Sequence, residues 1–322
     1  MVREPSNQDG YCRKFHSDGP CRIGITGASG LIGSSLAVYL ESGGHRVDRL
    51  VRKRPGRKPT DIYWDPENGE IDEAALEGLH AFVHLAGESL AAGRWNNARK
   101  RAILESRTRG TRLVAETLAA RKVRPGVLIS ASATGFYGDR GDEELTEESE
   151  AGNGFLAEVC RAWEEATEPA REAGIRVVHL RTGMVLSGRG GALARMLIPF
   201  RLGLGGKIGG GGQQISWIGM EDLIEAICFL LQHDSISGPV NAVSPEPVAN
   251  GEFTKTLGRV LRRPTILPLP SWAVSLLFGE MGRTVLLSSA RVLPRRLEKE
   301  GFLFTFPSLE AALRHELGML EL

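Results

Sequence analysis

The chain has 322 residues, with 40 basic against 39 acidic side chains, 42% hydrophobic residues and 40 glycines, a composition that suits an α/β protein with many tight turns. That length buries a sizeable core in one large or two smaller domains, and a formal charge of +1 excludes the domain-wide basic excess that a nucleic-acid partner requires. No apolar run reaches membrane-spanning length and Cys12, Cys21, Cys160 and Cys228 form no C-x-x-C pair, so no membrane span, zinc site or disulfide framework is expected, and a reducing, cytoplasmic setting is.

Residues 1–19 are polar and aperiodic and read as a loose tail. "CRIGIT" (Cys21–Thr26) then reads as a buried strand, and "LIGSSLAVYLES" as a helix closed by Gly43-Gly44. A second strand follows over His45–Val51, then a basic loop, and then a small hairpin in "DIYWDPENGEI" turned by Asn68-Gly69. "HAFVHLAG" is a further strand, Asn96–Arg121 a long helix, and "GVLISASA" a strand again. A helix is expected up to Gly174, followed by one strand through "IRVVHLRTGMVL". Repeated strand–helix alternation implies a Rossmann-type, doubly wound parallel sheet with right-handed crossovers. Past Asn241, prolines 245, 247, 264, 268 and 270 punctuate short helical stretches. The expected organisation is thus a tail (1–19), a nucleotide-binding domain (20–244) and a smaller, mainly helical C-terminal subdomain (245–322) contributing to the substrate cleft.

The most informative stretch is "GITGASGLIG", with Gly27, Gly30 and Gly33 between a strand and a helix. In such a turn the first glycine permits the tight bend, the second lets backbone amides approach a pyrophosphate, and the third lets helix and strand pack closely. Ser29, Leu31 and Ile32 complete the phosphate-facing turn, where unpaired N–H groups and the helix dipole favour an anion. The residue closing the second strand reads the adenosine ribose: a carboxylate for NAD, cations for the 2′-phosphate of NADP. "LVRKR" supplies Arg52 for that phosphate with Lys53 or Arg54 assisting, while Asp48 sits too early in the strand. NADP is the expected cofactor.

With "TGASGLIG", "HLAG" and "SASATGFYG", the chain resembles the extended, epimerase-like branch of the short-chain dehydrogenase/reductase superfamily. "RWNNARKRAILESRTRGTRLV", "LRTGMVLSGRGGALARMLIPFRLGLGGKIGGGGQQISWI" and "NAVSPEPVANGEF" narrow the resemblance to an atypical subgroup of epimerase family proteins with its own C-terminal helical segment. The resemblance runs from about residue 21 to the end. It implies that Leu85, Ala86 and Gly87 lie beside the cofactor ribose and Val185 close to the nicotinamide. It also places Arg107 where extended members carry an asparagine; a guanidinium there reaches the cofactor or a substrate carboxylate or phosphate.

By the same resemblance Ser132 falls near the catalytic serine and Tyr137 in the Tyr-Gly that follows it, so both are candidate catalytic residues. Catalytic members transfer a proton through a Y-x-x-x-K pair on the next helix, which here reads "GFLAEVCRAWEE". Phe155 or Leu156 fills the tyrosine position and Val159 or Cys160 the lysine position. None of the tyrosines (Tyr11, Tyr39, Tyr63, Tyr137) has a lysine four residues on, where Phe15, Gly43, Glu67 and Gly141 stand.

His84 reads as packing against the glycine turn, Trp95, Trp163 and Trp217 as core or pocket wall, Lys207, Gln213 and Trp217 as pocket residues, and "GDEELTEESE" as a solvated loop. Two functional readings follow: an NADP(H)-dependent, epimerase-like oxidoreductase acting on a small molecule, or an NADP(H)-binding regulatory or scaffold protein without turnover. A homodimer is compatible with both.

Overall fold

The computed structural model describes residues 19–52 and 60–319. In chain order the elements are β1 (Arg22–Thr26), α1 (Leu31–Ser42), β2 (Arg46–Val51), β3 (Asp61–Asp65), β4 (Glu70–Ile71), β5 (Ala81–His84), α2 (Asn97–Ala119), β6 (Val127–Ala133) and β7 (Glu144–Leu145). Next come α3 (Phe155–Glu165), α4 (Glu168–Glu172), β8 (Arg176–Thr182), β9 (Met184–Leu186), α5 (Gly191–Arg201), β10 (Gln214–Ile215), β11 (Trp217–Gly219), α6 (Met220–Gln232) and β12 (Gly238–Ala242). The remainder holds β13 (Val248–Ala249), α7 (Asn250–Leu261), α8 (Ser271–Met281), β14 (Arg291–Val292), α9 (Arg295–Lys299) and α10 (Leu309–Glu316).

The main sheet has eight strands in the order β12-β8-β6-β5-β1-β2-β3-β4, parallel throughout except for the antiparallel β3–β4 edge. Its strands are apolar on both faces because helices cover both. Ile23, Ile25, Val83, Ile129 and Leu180 pack on one side with Leu36 and Leu40 of α1 and most of α6. Leu50, Trp64, Phe82 and Leu128 face the other side, against Val114 and Leu118 of α2 and Ala170 of α4. This is a Rossmann-like α/β fold. The connections leave β1 in opposite directions toward β2 and β5, so the carboxyl ends of β1 and β5 open the crevice in which such sheets bind ligands.

Two expected elements divide. The strand through "IRVVHLRTGMVL" breaks at Gly183, whose Cβ would sit 2.5 Å from the Ser216 carbonyl oxygen and 2.8 Å from Val243. The chain leaves the main sheet there, and β9 pairs instead with β11. The expected helix up to Gly174 becomes α3 and α4, the second starting with Pro169 in its first turn.

A further apolar core joins Leu186, Leu193, Leu197 and Trp217 to Phe253 and Leu257 of α7 and Leu309 and Leu313 of α10. The C-terminal helices therefore pack directly on β9, α5 and β11. Among the described residues no helix is long and apolar enough to cross a membrane. No cluster of three or more His, Cys, Asp or Glu suited to a metal ion occurs among them either.

Candidate functional site

The glycine turn is held in place from below by Thr26. Its buried hydroxyl accepts from the Leu85 and Ala86 amides (3.1 and 3.3 Å) and donates to His84 Nδ1 (2.8 Å). Because Nδ1 accepts, the imidazole proton sits on Nε2, and complete burial pulls the His84 pKa down to about 3. His84 is a neutral strut between β1 and β5, packed edge-on to Trp64 at 6.0 Å.

Above this strut, Gly27 has φ +68°, and a Cβ there would meet the Leu85 carbonyl carbon at 2.9 Å. A Cβ on Gly33 would lie 2.3 Å from the Gly27 carbonyl oxygen, so α1 reaches this depth only with glycine at that position. Gly30 differs: its Cβ would touch only the Gly27 oxygen, at 3.1 Å, and would otherwise point into open space. Ser29 and Gly30 are exposed, Leu31 and Ile32 half-buried, and no side chain caps α1 at Gly30. The amides of its first turn thus face the crevice with a cradle that a Cβ at Gly30 would fill, and a pyrophosphate fits this geometry. Leu31 supports the far wall, 3.2 Å from the Cβ positions of Gly190 and Gly191.

Arg52 follows β2 directly and is exposed. Lys53 lies outside the described residues. Asp48 is buried and paired with both Arg22 and Arg46, so its carboxylate is not free to read a ribose.

The carboxyl end of β6 is built differently. Ser132 Oγ donates to Glu164 of α3 (2.7 Å), and Arg181 of β8 grips the same carboxylate with Nε and Nη2 at 2.8 and 2.9 Å. Tyr137, fully buried after the short turn Thr134–Tyr137, donates to Asn241 Oδ1 (2.7 Å) and accepts from Arg181 Nη1 (3.1 Å). Burial raises the phenol's pKa, opposed by the Arg181 charge. Ser132 and Tyr137 thus share one internal network, and neither hydroxyl proton points into the crevice. The helix register is also resolved. Leu156 and Cys160 face the β6 end, 3.3 Å from a Gly135 Cβ and 3.7 Å from the Ala133 carbonyl oxygen respectively. Phe155 and Val159 belong, with Leu156, to the apolar cluster around Trp95. Burial pushes the Cys160 thiol up to about 11, so it stays protonated.

Beside Gly87, which is exposed past β5, the side chain of Arg107 crosses from α2. A Gly87 Cβ would lie 3.4 Å from its guanidinium carbon, which stands 4.9 Å from the Trp163 ring. Arg107 is only 9% exposed and, among the described residues, donates to a single acceptor, the Ile103 carbonyl (3.1 Å). Leu85 and Ala86 are half-buried under the glycine turn, and Val185 packs beside α1's core from β9.

Three other expectations change. Trp217 is fully buried, its indole N–H bonded to the Glu246 carbonyl (2.9 Å), and Gln213 ties the Ile208 and Leu286 carbonyls (3.1 and 3.0 Å). Lys207 lines a separate cavity of about 230 Å³ with Thr254 and Lys255. In the acidic run Glu147 is half-buried: it accepts from the Asn241 and Arg296 amides (3.0 and 3.3 Å), and burial raises its pKa. Glu164, Arg181 and Asn241 were not among the sequence candidates; the signal was a charged residue inside the otherwise apolar strand "VVHLRT".

Residues 23–242 match the NAD dependent epimerase/dehydratase family, and residues 269–316 match a domain of unknown function, DUF1731. The epimerase family protein Mb2239 of Mycobacterium bovis is 44% identical over 291 residues, covering 90% of this chain and 96% of that protein. The crystal structure of human epimerase family protein SDR39U1 (isoform 2) with NADPH superposes with a TM-score of 0.85 at 35% identity, over 93% of this chain and 100% of that one. A nucleoside-diphosphate sugar epimerase from Corynebacterium glutamicum gives a TM-score of 0.78 at 43% identity, over 93% of this chain but 59% of its own. A glycine turn of this geometry, in a sheet of this order and with relatives of this extent, shows that the chain belongs to the NAD dependent epimerase/dehydratase family.

Proposed function

We propose that the chain binds NADPH and presents it to a small carbonyl-bearing substrate, as an epimerase-like oxidoreductase that works without a Y-x-x-x-K relay. The observation that carries this reading is the uncapped first turn of α1 over the Gly30 cradle. Gly27, Ser29, Gly30, Leu31, Ile32 and Gly33 would hold the pyrophosphate and Arg52 the 2′-phosphate, with the NADPH complex of the human relative in support. When bound, the reduced nicotinamide supplies a hydride. The chain's own part is to orient that ring between β6 and β9 and to exclude water.

The second reading, an NADPH-binding protein without turnover, is favoured by one observation: the Ser132 and Tyr137 hydroxyls are engaged by Glu164 and Asn241. One experiment separates the two. NADPH binding is titrated by fluorescence, and the same samples are screened for NADPH oxidation by aldehydes, ketones and nucleotide sugars. Binding with oxidation supports the first reading, binding without oxidation the second, and absence of binding defeats both.

A further inference from the structure

Three cations lie where α2 passes the end of β5, and two acids answer them. Arg99 pairs with Glu88 (3.0 Å) and Lys100 with Glu280 (2.8 Å). Arg107 has no carboxylate partner among the described residues, although it is the most buried of the three. A guanidinium carries five N–H donors, and here one bond to its own helix uses a single nitrogen. Glu88, the carboxylate whose charge acts on Arg107, is already paired with Arg99, and burying a guanidinium without an ion pair of its own is unfavourable, so Arg107 calls for a further anion.

The surroundings supply further unpartnered donors. The Trp163 indole N–H, on the ring over which Arg107 sits, is buried without a partner in a residue 6% exposed. The Thr111 hydroxyl, one helical turn beyond Arg107, is also buried without a partner. Exposed Gly87 adjoins the guanidinium, and a Cβ there would stand 3.4 Å from its central carbon. Cys160, which occupies the lysine position of the relay, contributes a protonated thiol next to Arg107 and no charge.

We propose that Arg107 is the receptor for an oxyanion, a carboxylate or phosphate, carried by a second ligand that binds beside the cofactor, and that the substrate of this protein is therefore an acid or a phosphate ester. The inference rests on the reading that the glycine turn holds NADPH, and the same oxyanion chemistry is present in that cofactor's own phosphates. The geometry favours the second ligand. Arg107 stands beside Gly87 at the end of β5 and over Trp163 of α3, whereas the amides proposed to face the cofactor phosphates are those of α1.

The test uses the full chain saturated with NADPH, so that the α1 turn is filled. Inorganic phosphate and malonate are titrated while NADPH fluorescence is followed, in the wild type, Arg107→Gln and Arg107→Lys. The expected result is saturable binding of at least one anion to the wild type, weakened by about tenfold or more in Arg107→Gln and partly restored in Arg107→Lys, with NADPH affinity little changed. Absence of anion binding to the wild-type complex overturns the proposal, as does equal binding by Arg107→Gln. A loss of NADPH affinity of about tenfold in Arg107→Gln, with anion binding intact, also overturns it and assigns the residue to the cofactor. Failure of the wild type to bind NADPH at all defeats the cofactor reading instead, and is seen before any anion is added. Should Arg107→Gln not fold, the wild-type titration and the Arg107→Lys comparison still decide.

Discussion

The carboxyl ends of β1 and β6 lie two strands apart on the same edge of the sheet, and they are built in opposite ways. At β1 the working groups are backbone amides. Thr26 ties the neighbouring end of β5 through Leu85, Ala86 and His84, and among the described residues no side chain caps the α1 turn. At β6 the working groups are side chains, and Glu164, Arg181 and Asn241 satisfy them completely. Backbone amides at a helix start cannot be removed by mutation without removing the helix, whereas side-chain hydroxyls can be drawn into the interior by one neighbouring carboxylate. The first end therefore depends on backbone geometry, whereas the second depends on which side chains surround it.

The sharpest way to break this comparison is Gly30→Val. Because a Cβ there meets only one protein atom, the chain should fold while NADPH affinity falls by at least about a hundredfold, measured by fluorescence titration beside a thermal melt. Normal binding by a folded variant would place the nucleotide elsewhere. A smaller effect is expected at Arg52. A charge-assisted bond to a 2′-phosphate is worth roughly 1.5–3 kcal/mol, so Arg52→Ala should erase a tenfold to hundredfold preference for NADPH over NADH. Wild-type affinities equal for the two nucleotides would sink that assignment.

The strut under the β1 end gives a pH signature. His84 stays neutral in the fold down to about 3, whereas an unfolded imidazole protonates near 6.5. Between those values the unfolded chain binds the extra proton, so stability falls as pH drops, by up to about 1.4 kcal/mol per pH unit. The slope of urea stability against pH should be shallower in His84→Gln, and an unchanged slope would mean the imidazole is not buried neutral. The smallest expected change is in NADPH affinity of Tyr137→Phe. This variant should lose about 1–2 kcal/mol of stability through the unpaired Asn241 oxygen, yet bind the nucleotide within about twofold of the wild type. A large loss of affinity would bring Tyr137 back to the crevice.

The β1–α1 unit was legible because everything that defines it lies in one continuous stretch, Arg22–Ser42: an apolar strand, three glycines and a helix. The break between β8 and β9 was not. The apolar run is continuous, and what stops it is crowding at Gly183 by Ser216 and Val243, which are distant in the chain. Arg107 was equally ambiguous, since α2 also carries Arg99, Arg101, Arg109 and Arg112, and only the helix's docking decides which guanidinium is buried. The engagement of Ser132 and Tyr137 depended on partners from α3, β8 and β12 that no local spacing connects. Sequence located the two hydroxyls; their orientation is a tertiary property.

The apolar core that joins Leu186, Leu193 and Trp217 to α7 and α10 has a consequence in time. β9, which carries Val185 beside α1's core, is backed by Leu309 and Leu313, made more than a hundred residues later. Contacts of such separation form late in folding. A nascent chain can thus assemble the glycine turn soon after β5 emerges, but the opposite wall of the crevice settles only once α10 has left the ribosome. Binding measured on stalled chains of increasing length should rise in two steps rather than one.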